Sequence, residues 1–236
     1  MSGHSKWSQI HRQKGVADTK RGAIFTKLGK AIVIAAKNGG GDPEMNFKLR
    51  LAVDQAKQAN MPKDNIDRAI KKGTGELGGG IIEEISYEGF GPNGTAFIIE
   101  CLTDNRNRTS AAVKHLLTKH GGRLGGPNAV SWMFEHKGII RIEKINDELE
   151  LEIIDAGAQD VIKDEEGVSI YCQPQNLQKI KEFLEQKNIN IDYAEVEQIA
   201  KEKKEISQED AEKIQRLLDE LEENEDVNNY YTNADI

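Results

Sequence analysis

Five glycines fall between residues 73 and 80, in Gly73-Thr74-Gly75 and Gly78-Gly79-Gly80, and the pattern of apolar residues changes across them. Glycine carries no side chain to pack and opens backbone conformations that helices and strands exclude, so such a cluster breaks regular structure. Before it, apolar residues recur at three- and four-residue steps. After it come short β-branched and aromatic runs bounded by turn residues. The chain reads as a helical unit first and a sheet-containing part second, joined by this linker.

The helical unit reads as three elements. Ile24, Leu28, Ala31, Ile32 and Ala35 give one apolar face to a helix over 18–37, and Asn38-Gly39-Gly40-Gly41 ends it. Asp42-Pro43 predicts the start of a second helix with Asp as cap, its apolar face being Met45, Leu49, Ala52, Val53 and Ala56. A third runs over 63–72 after Asn60-Met61-Pro62, with Ile66, Ala69 and Ile70 inward and Gly73 as its stop. Residues 1–15 show no sustained periodicity, with Trp7 and Ile10 placed to anchor them on the core.

Beyond the linker, strands are predicted over 83–88 and 96–102, joined by Gly89-Phe90-Gly91-Pro92-Asn93-Gly94, and then a helix over 106–120. Residues 131–135 and 138–142 read as strands, 146–156 as a helix, 160–164 and 167–172 as a hairpin, 174–187 as a helix and 191–196 as a strand. From 138 on, the order is β-α-β-β-α-β, the split βαβ or ferredoxin-like arrangement. The tail adds a helix over 208–222 and a strand over 227–232, the closing pieces that 83–124 lacks. The expected fold is therefore α+β: a small N-terminal helical bundle plus two ferredoxin-like α+β domains, the third inserted in the second. The expected limits are 1–77, then 78–128 with 202–236, then 129–201.

Charge divides along the same boundary. Residues 1–75 hold 15 Lys and Arg against 6 Asp and Glu, a net of +9, whereas the remainder holds 17 against 34, a net of −17. Within 3–37, Lys6, Arg12, Lys14, Lys20, Arg21, Lys27, Lys30 and Lys37 face a single acid, Asp18. On the helix over 18–37, at about 100° per residue, Lys20, Lys27, Lys30 and Lys37 share an arc beside the apolar face. Cations interleaved with His4, Trp7 and His11 suit a polyanion, because they displace counterions from phosphates while aromatic rings stack on bases. The same residues also suit a solvated basic terminus, and Trp7 serves packing as readily as stacking. A second candidate phosphate contact is Arg106 with Arg108, at the helix start marked by Asp104-Asn105; a local cap with surface ion pairs explains those residues equally well.

Other chemistries find no support. No glycine-rich piece matches a nucleotide cradle, and no serine lies in a G-x-S-x-G turn. His4, His11, His115, His120 and His136 form no cluster with cysteine, so no metal and no cofactor is expected. Cys101 and Cys172 lie far apart without a C-x-x-C partner and read as free buried thiols of a reducing compartment. No apolar run approaches the ~18 residues needed to span a bilayer, and the N-terminus has no apolar signal core. The expectation is a cytoplasmic monomer with no membrane and no small-molecule substrate. No helix-turn-helix recognition helix is evident either.

The motifs resemble one family along nearly the whole chain. They are Gly3-His4-Ser5-Lys6-Trp7, Lys20-Arg21, Phe25-Thr26-Lys27, Gly39-Gly40-Gly41-Asp42-Pro43, Asn60-Met61-Pro62-Lys63-Asp64, Tyr87-Glu88-Gly89-Phe90-Gly91-Pro92, Thr103-Asp104-Asn105-Arg106-Asn107-Arg108-Thr109 and Tyr231-Thr232-Asn233. This set is similar to the YebC/PmpR family. The resemblance implies three domains and no enzyme activity. It also implies nucleic acid as partner: DNA, for a transcriptional regulator, or ribosomal RNA and tRNA on the ribosome, for a translation factor that relieves stalling on proline-rich stretches. The residues expected to meet nucleic acid are His4, Lys6, Trp7, His11, Arg12, Lys14, Lys20, Arg21, Lys27 and Lys30. The competing expectation is a protein-binding adaptor using the acidic part.

Overall fold

The computed structural model describes the backbone of residues 18–78, 80–164 and 167–236, and side chains within these from residue 22 onward. Three helices come first: α1 (Asp18–Gly39), α2 (Phe47–Gln58) and α3 (Lys63–Gly73). Their apolar faces meet in one core of Ile32, Val33, Ala35 and Ala36 against Leu49, Ala52, Val53, Ala56, Ile66 and Ala69. Gly40, with φ +88°, supplies the left-handed residue that ends α1.

Two details differ from the sequence reading. The second helix starts at Phe47, not at Pro43, because Asn46 is the cap. Its side chain accepts from the Leu49 N–H at 3.1 Å and donates to the Ala35 and Gly40 carbonyls, both at 2.8 Å. One buried amide thus closes α1 and opens α2, while Met45 lies in the preceding turn, 84% exposed. Gly73 is the last residue of α3 rather than its stop. A Cβ there would stand 2.5 Å from the Val33 carbonyl oxygen, so glycine is needed to let α3 touch α1.

The remainder is α+β with antiparallel sheets. The first has strand order β3-β1-β2-β9. β1 (Glu83–Phe90) and β2 (Ala96–Thr103) form a hairpin in register Glu83↔Thr103 to Phe90↔Ala96. β3 (Arg123–Leu124) pairs with β1, and β9 (Val227–Thr232) pairs with the far edge of β2. Two helices, α4 (Arg106–Lys119) and α7 (Gln208–Glu223), cover one face, where Phe97, Ile99 and Cys101 meet Val113, Leu117, Ile214, Leu217 and Leu221.

The second sheet has order β5-β6-β4-β7, in the sequence β4 (Phe134–Ile142), α5 (Asp147–Ala156), β5 (Ala158–Asp164), β6 (Gly167–Cys172), α6 (Leu177–Gln186) and β7 (Ile191–Ala200). Each crossover straddles one antiparallel neighbour, which is the split βαβ order. The predicted strands over 131–135 and 138–142 are one strand. Ser131–Met133 is a 3-10 turn, and Gly138 sits mid-strand because a Cβ there would lie 2.7 Å from Cys172 Sγ. A parallel bridge between β8 (Lys204–Glu205) and β10 (Ala234–Asp235) escaped the sequence reading, being two residues long on each side.

β2 ties the parts together. Its second face carries Ala96 and Ile98 against Val130, Phe134 and Tyr231, and Leu102 against the helical core. Helix α2 also reaches the second sheet, where Phe47 and Leu51 pack on its core and the Gln55 amide donates to Glu195. Ile140, fully buried beneath α5 and α6, anchors that core. Ile140→Ala should lower the unfolding free energy by about 2–5 kcal/mol. Met45→Ala should change it by less than about 0.5 kcal/mol. Denaturant titration of both checks the core and the position of the α2 start.

Candidate nucleic-acid interface

Of the residues singled out for nucleic acid, His4, Lys6, Trp7, His11, Arg12 and Lys14 lie outside the described residues. Lys20 and Arg21 fall in the first turn of α1, with their side chains outside the description. The structure places Lys27, Lys30 and Lys37 against the sheet-containing part. The Lys27 ammonium donates to the Glu222 carbonyl. Lys30 donates to Asp226 Oδ1 at 2.6 Å and to the Glu225 carbonyl at 3.0 Å, and Lys37 to the Ile82 carbonyl at 3.3 Å. Carbonyls at the end of α7 are unpaired within their helix and welcome cations. Lys27 and Lys30 moor α1 over the α7–β9 corner, and Lys37 ties it to the entry of β1.

Asp226 gathers the contacts at that corner. Besides Lys30 it accepts from Arg108 Nη2 at 2.9 Å and from the Thr109 hydroxyl at 2.8 Å. Burial pushes its carboxyl pKa up, but the hydrogen bonds from Lys30, Arg108 and Thr109 outweigh this and hold it below the ordinary 3.8. Arg108 also reaches Asp104 Oδ1 at 3.0 Å, while Asn105 caps α4 by accepting from the Arg108 N–H at 3.1 Å. Of the two readings of this motif, the local cap with ion pairs describes Arg108. Arg106 is exposed and makes no ion pair among the described residues. Thr26, Lys30, Asp104, Arg108 and Asp226 line a cleft of about 450 Å³ between α1 and α4.

Lys27 is the unusual member. Burial pulls its pKa down to about 8, opposed by attraction to Glu222. Its charge therefore costs the fold something at neutral pH, unlike that of a surface lysine.

Sequence reasoning did not single out the cations of α3. Arg68, Lys71 and Lys72 follow one another at helical spacing, are exposed, and form no ion pair among the described residues. Their counterparts on the buried side, Ile66 and Ala69, were legible from periodicity. The complementary spacing of the cations was the signal available.

Elsewhere the described residues offer little reactive chemistry. No group of His, Cys, Asp and Glu could hold a metal ion among them. Cys101 and Cys172 are free and buried, with burial raising their thiols to about 12 and about 11, far from the thiolate form. No helix among the described residues is long and apolar enough to cross a membrane.

The architecture is that of a basic helical unit, or head, fastened by lysines to a mixed α+β body. The chain belongs to the TACO1/YebC family. Residues 5–76 match the TACO1/YebC protein N-terminal domain, and residues 82–234 match the TACO1/YebC second and third domain. It is 52% identical to a probable transcriptional regulatory protein of Thermoanaerobacter pseudethanolicus, covering 100% of this chain and 98% of that one. It is 51% identical to one of the same name from Persephonella marina, covering 100% and 96%. The crystal structure of a conserved hypothetical protein from Aquifex aeolicus superposes with TM-score 0.86 at 42% identity, covering 100% of this chain and 96% of that one. The relatives' names support a regulatory role in the family.

Two measurements probe the corner. Asp226→Asn should cost about 2–3 kcal/mol at pH 7, since it leaves two cations facing each other, one of them half exposed. A carboxyl with a lowered folded pKa stabilises above its unfolded value and loses this as pH falls through the folded one. The gap to wild type should therefore close below about pH 3.8. Lys27 gives the same sign for the opposite reason, its charged form being the disfavoured one: between about 8 and 10.5 the folded chain has released a proton that the unfolded chain still holds, so stability rises with pH. Between pH 7 and 10, wild type should gain about 2 kcal/mol relative to Lys27→Met. Parallel stability curves would mean that the amine titrates as it does in water.

Proposed function

We propose that this protein is a non-enzymatic, cytoplasmic regulator of gene expression that binds nucleic acid through its N-terminal helical unit. On this reading it is a DNA-binding transcriptional regulator of the kind its relatives are named for. The observation that carries the reading is how the cations are divided. Lys27, Lys30 and Lys37 are spent on holding α1 to the body. Arg68, Lys71 and Lys72 stand exposed without a carboxylate partner among the described residues, and the cationic run of 4–21 lies ahead of the moored lysines in sequence. The phosphate-facing residues are then Lys6, Arg12, Lys14, Lys20 and Arg21, joined by the α3 cations. His4, Trp7 and His11 meet bases. Lys27, Lys30 and Arg108 keep the head in place.

A second reading, an RNA-binding translation factor on the ribosome, is favoured by the charge of the body. A net of −17 beyond residue 75 repels an extended duplex and confines contact to one end of the molecule. Such a grip suits structured RNA, whose loops and ends are read locally.

Replacing Lys6, Arg12, Lys20 and Arg21 together by Ala should weaken binding strongly while leaving the unfolding transition in place. It should also flatten the dependence of log K on log salt by roughly one for each phosphate contact removed. Fluorescence anisotropy with duplex DNA, run beside co-sedimentation with ribosomes over ~50 to 200 mM salt, is the measurement. Unchanged affinity and slope in both arms would refute the proposal. Ribosome binding that outlasts DNA binding as salt rises would select the second reading.

A further inference from the structure

Trp132 is 67% exposed, the largest side chain among the exposed apolar residues. A single exposed apolar residue is ordinary, but tryptophan is enriched where one end is apolar and the other wet, and this one is held in place. It does not hang from a loose loop. The Glu88 carboxylate accepts the N–H groups of Asn128, Val130 and Ser131 at 2.9, 2.7 and 2.8 Å, folding 128–131 round one side chain. The indole N–H donates to the Ala129 carbonyl at 3.3 Å, which sets the ring's orientation. Lys201 clamps the other side: its ammonium donates to the Trp132 carbonyl at 2.8 Å, and its N–H to the Met133 carbonyl at 2.9 Å. Beneath, Ala129 and Met133 pack with Val130, Phe134 and Phe90. The ring is pre-organised, and most of it is left in water.

The two chain segments that meet at Trp132 are more basic than the body to which they belong. Segments 123–137 and 200–204 hold Arg123, Lys137, Lys201, Lys203 and Lys204 against Glu135 and Glu202, within a body of net −17. Lys137 and Lys203 are paired, with Glu135 and Asp235, and Lys204 donates to the Asn93 carbonyl. Arg123 and Lys201 make no ion pair among the described residues. Arg123 lies over the Phe90 ring at 4.4 Å, which holds its guanidinium at the surface. The exposed residues flanking Trp132 in sequence are Gly126, Pro127, Asn128, Glu135 and His136, not apolar ones, so no apolar groove accompanies the ring. A rigid, isolated aromatic face with the Lys201 ammonium against its own backbone carbonyl can meet a base by stacking and its phosphate by charge.

We propose that Trp132, with Lys201, forms a second nucleic-acid contact, a stacking platform for an unpaired base of single-stranded DNA or RNA. It rests on the nucleic-acid reading above and adds to it: the N-terminal unit grips phosphates, and this site selects an unstacked strand. A base inside a duplex has no free face to offer the indole, so the interior of a duplex is no ligand here and only its terminal pairs could stack.

The test uses the full chain and octathymidylate and octauridylate as probes. Dye-labelled oligonucleotide reports total binding by anisotropy, for wild type, Trp132→Ala and Trp132→Phe. The difference in emission between wild type and Trp132→Phe reports stacking on Trp132. Expected are quenching of Trp132 emission that saturates with the anisotropy, a loss of about tenfold in affinity for Trp132→Ala, and most of it retained in Trp132→Phe. A long duplex at the same nucleotide concentration, in which terminal pairs are a small share of the bases, should leave the emission nearly unchanged. Binding by anisotropy with unquenched emission and an unweakened Trp132→Ala would overturn the platform and leave the N-terminal proposal standing. No binding of single strand, duplex or ribosome in any form of the protein would overturn both.

Discussion

One carboxylate holds the head to the body. Asp226, at the start of β9, receives Lys30 from the helical unit and Arg108 and Thr109 from α4, so three separate elements meet on one side chain. A partly buried carboxylate with a single cation partner would gain little once desolvation is counted. With two cations and a hydroxyl its hydrogen-bonding capacity is filled, and the cluster fixes where α1 lies. The lysines at 27 and 37 add contacts to backbone carbonyls on either side of it. Cations that composition assigns to a ligand are in this way committed to the protein's own structure.

Beneath that corner, β2 sets the layout. It is buried along almost its whole length because different layers cover its two faces. The α4–α7 pair takes one face. The other is divided between the helical unit at the Leu102 end and the 130–134 segment at the Ala96 end. Neighbouring Glu88, on β1, then organises the loop that leads into the second sheet. The same strand pair therefore positions both the cationic head and the exposed indole, on opposite parts of one sheet.

Much of this was legible beforehand. Helical periodicity marked Ile32, Leu49, Val53 and Ile66 as core, and strand patterning with turn residues located the hairpin and the split βαβ order. Boundaries failed where a polar side chain did structural work: Asn46 caps α2 although Asp42-Pro43 is the stronger local signal, because its amide also satisfies the end of α1. They failed again at Gly138, where a glycine that looks like a break makes room for Cys172. Among the site residues, charge spacing showed that the α1 lysines share an arc, but not which surface that arc meets.

The sequence by itself determined that there would be a basic helical unit, a glycine-rich joint and an acidic sheet-containing remainder, because periodicity and net charge are local properties of the chain. Only the tertiary structure decided which cations are free. Lys27, Lys30 and Arg108 are spent on partners 118 to 196 residues away, whereas Arg68, Lys71 and Lys72 keep their charge exposed. An ion pair depends on distance and desolvation, and neither is set until distant segments pack together.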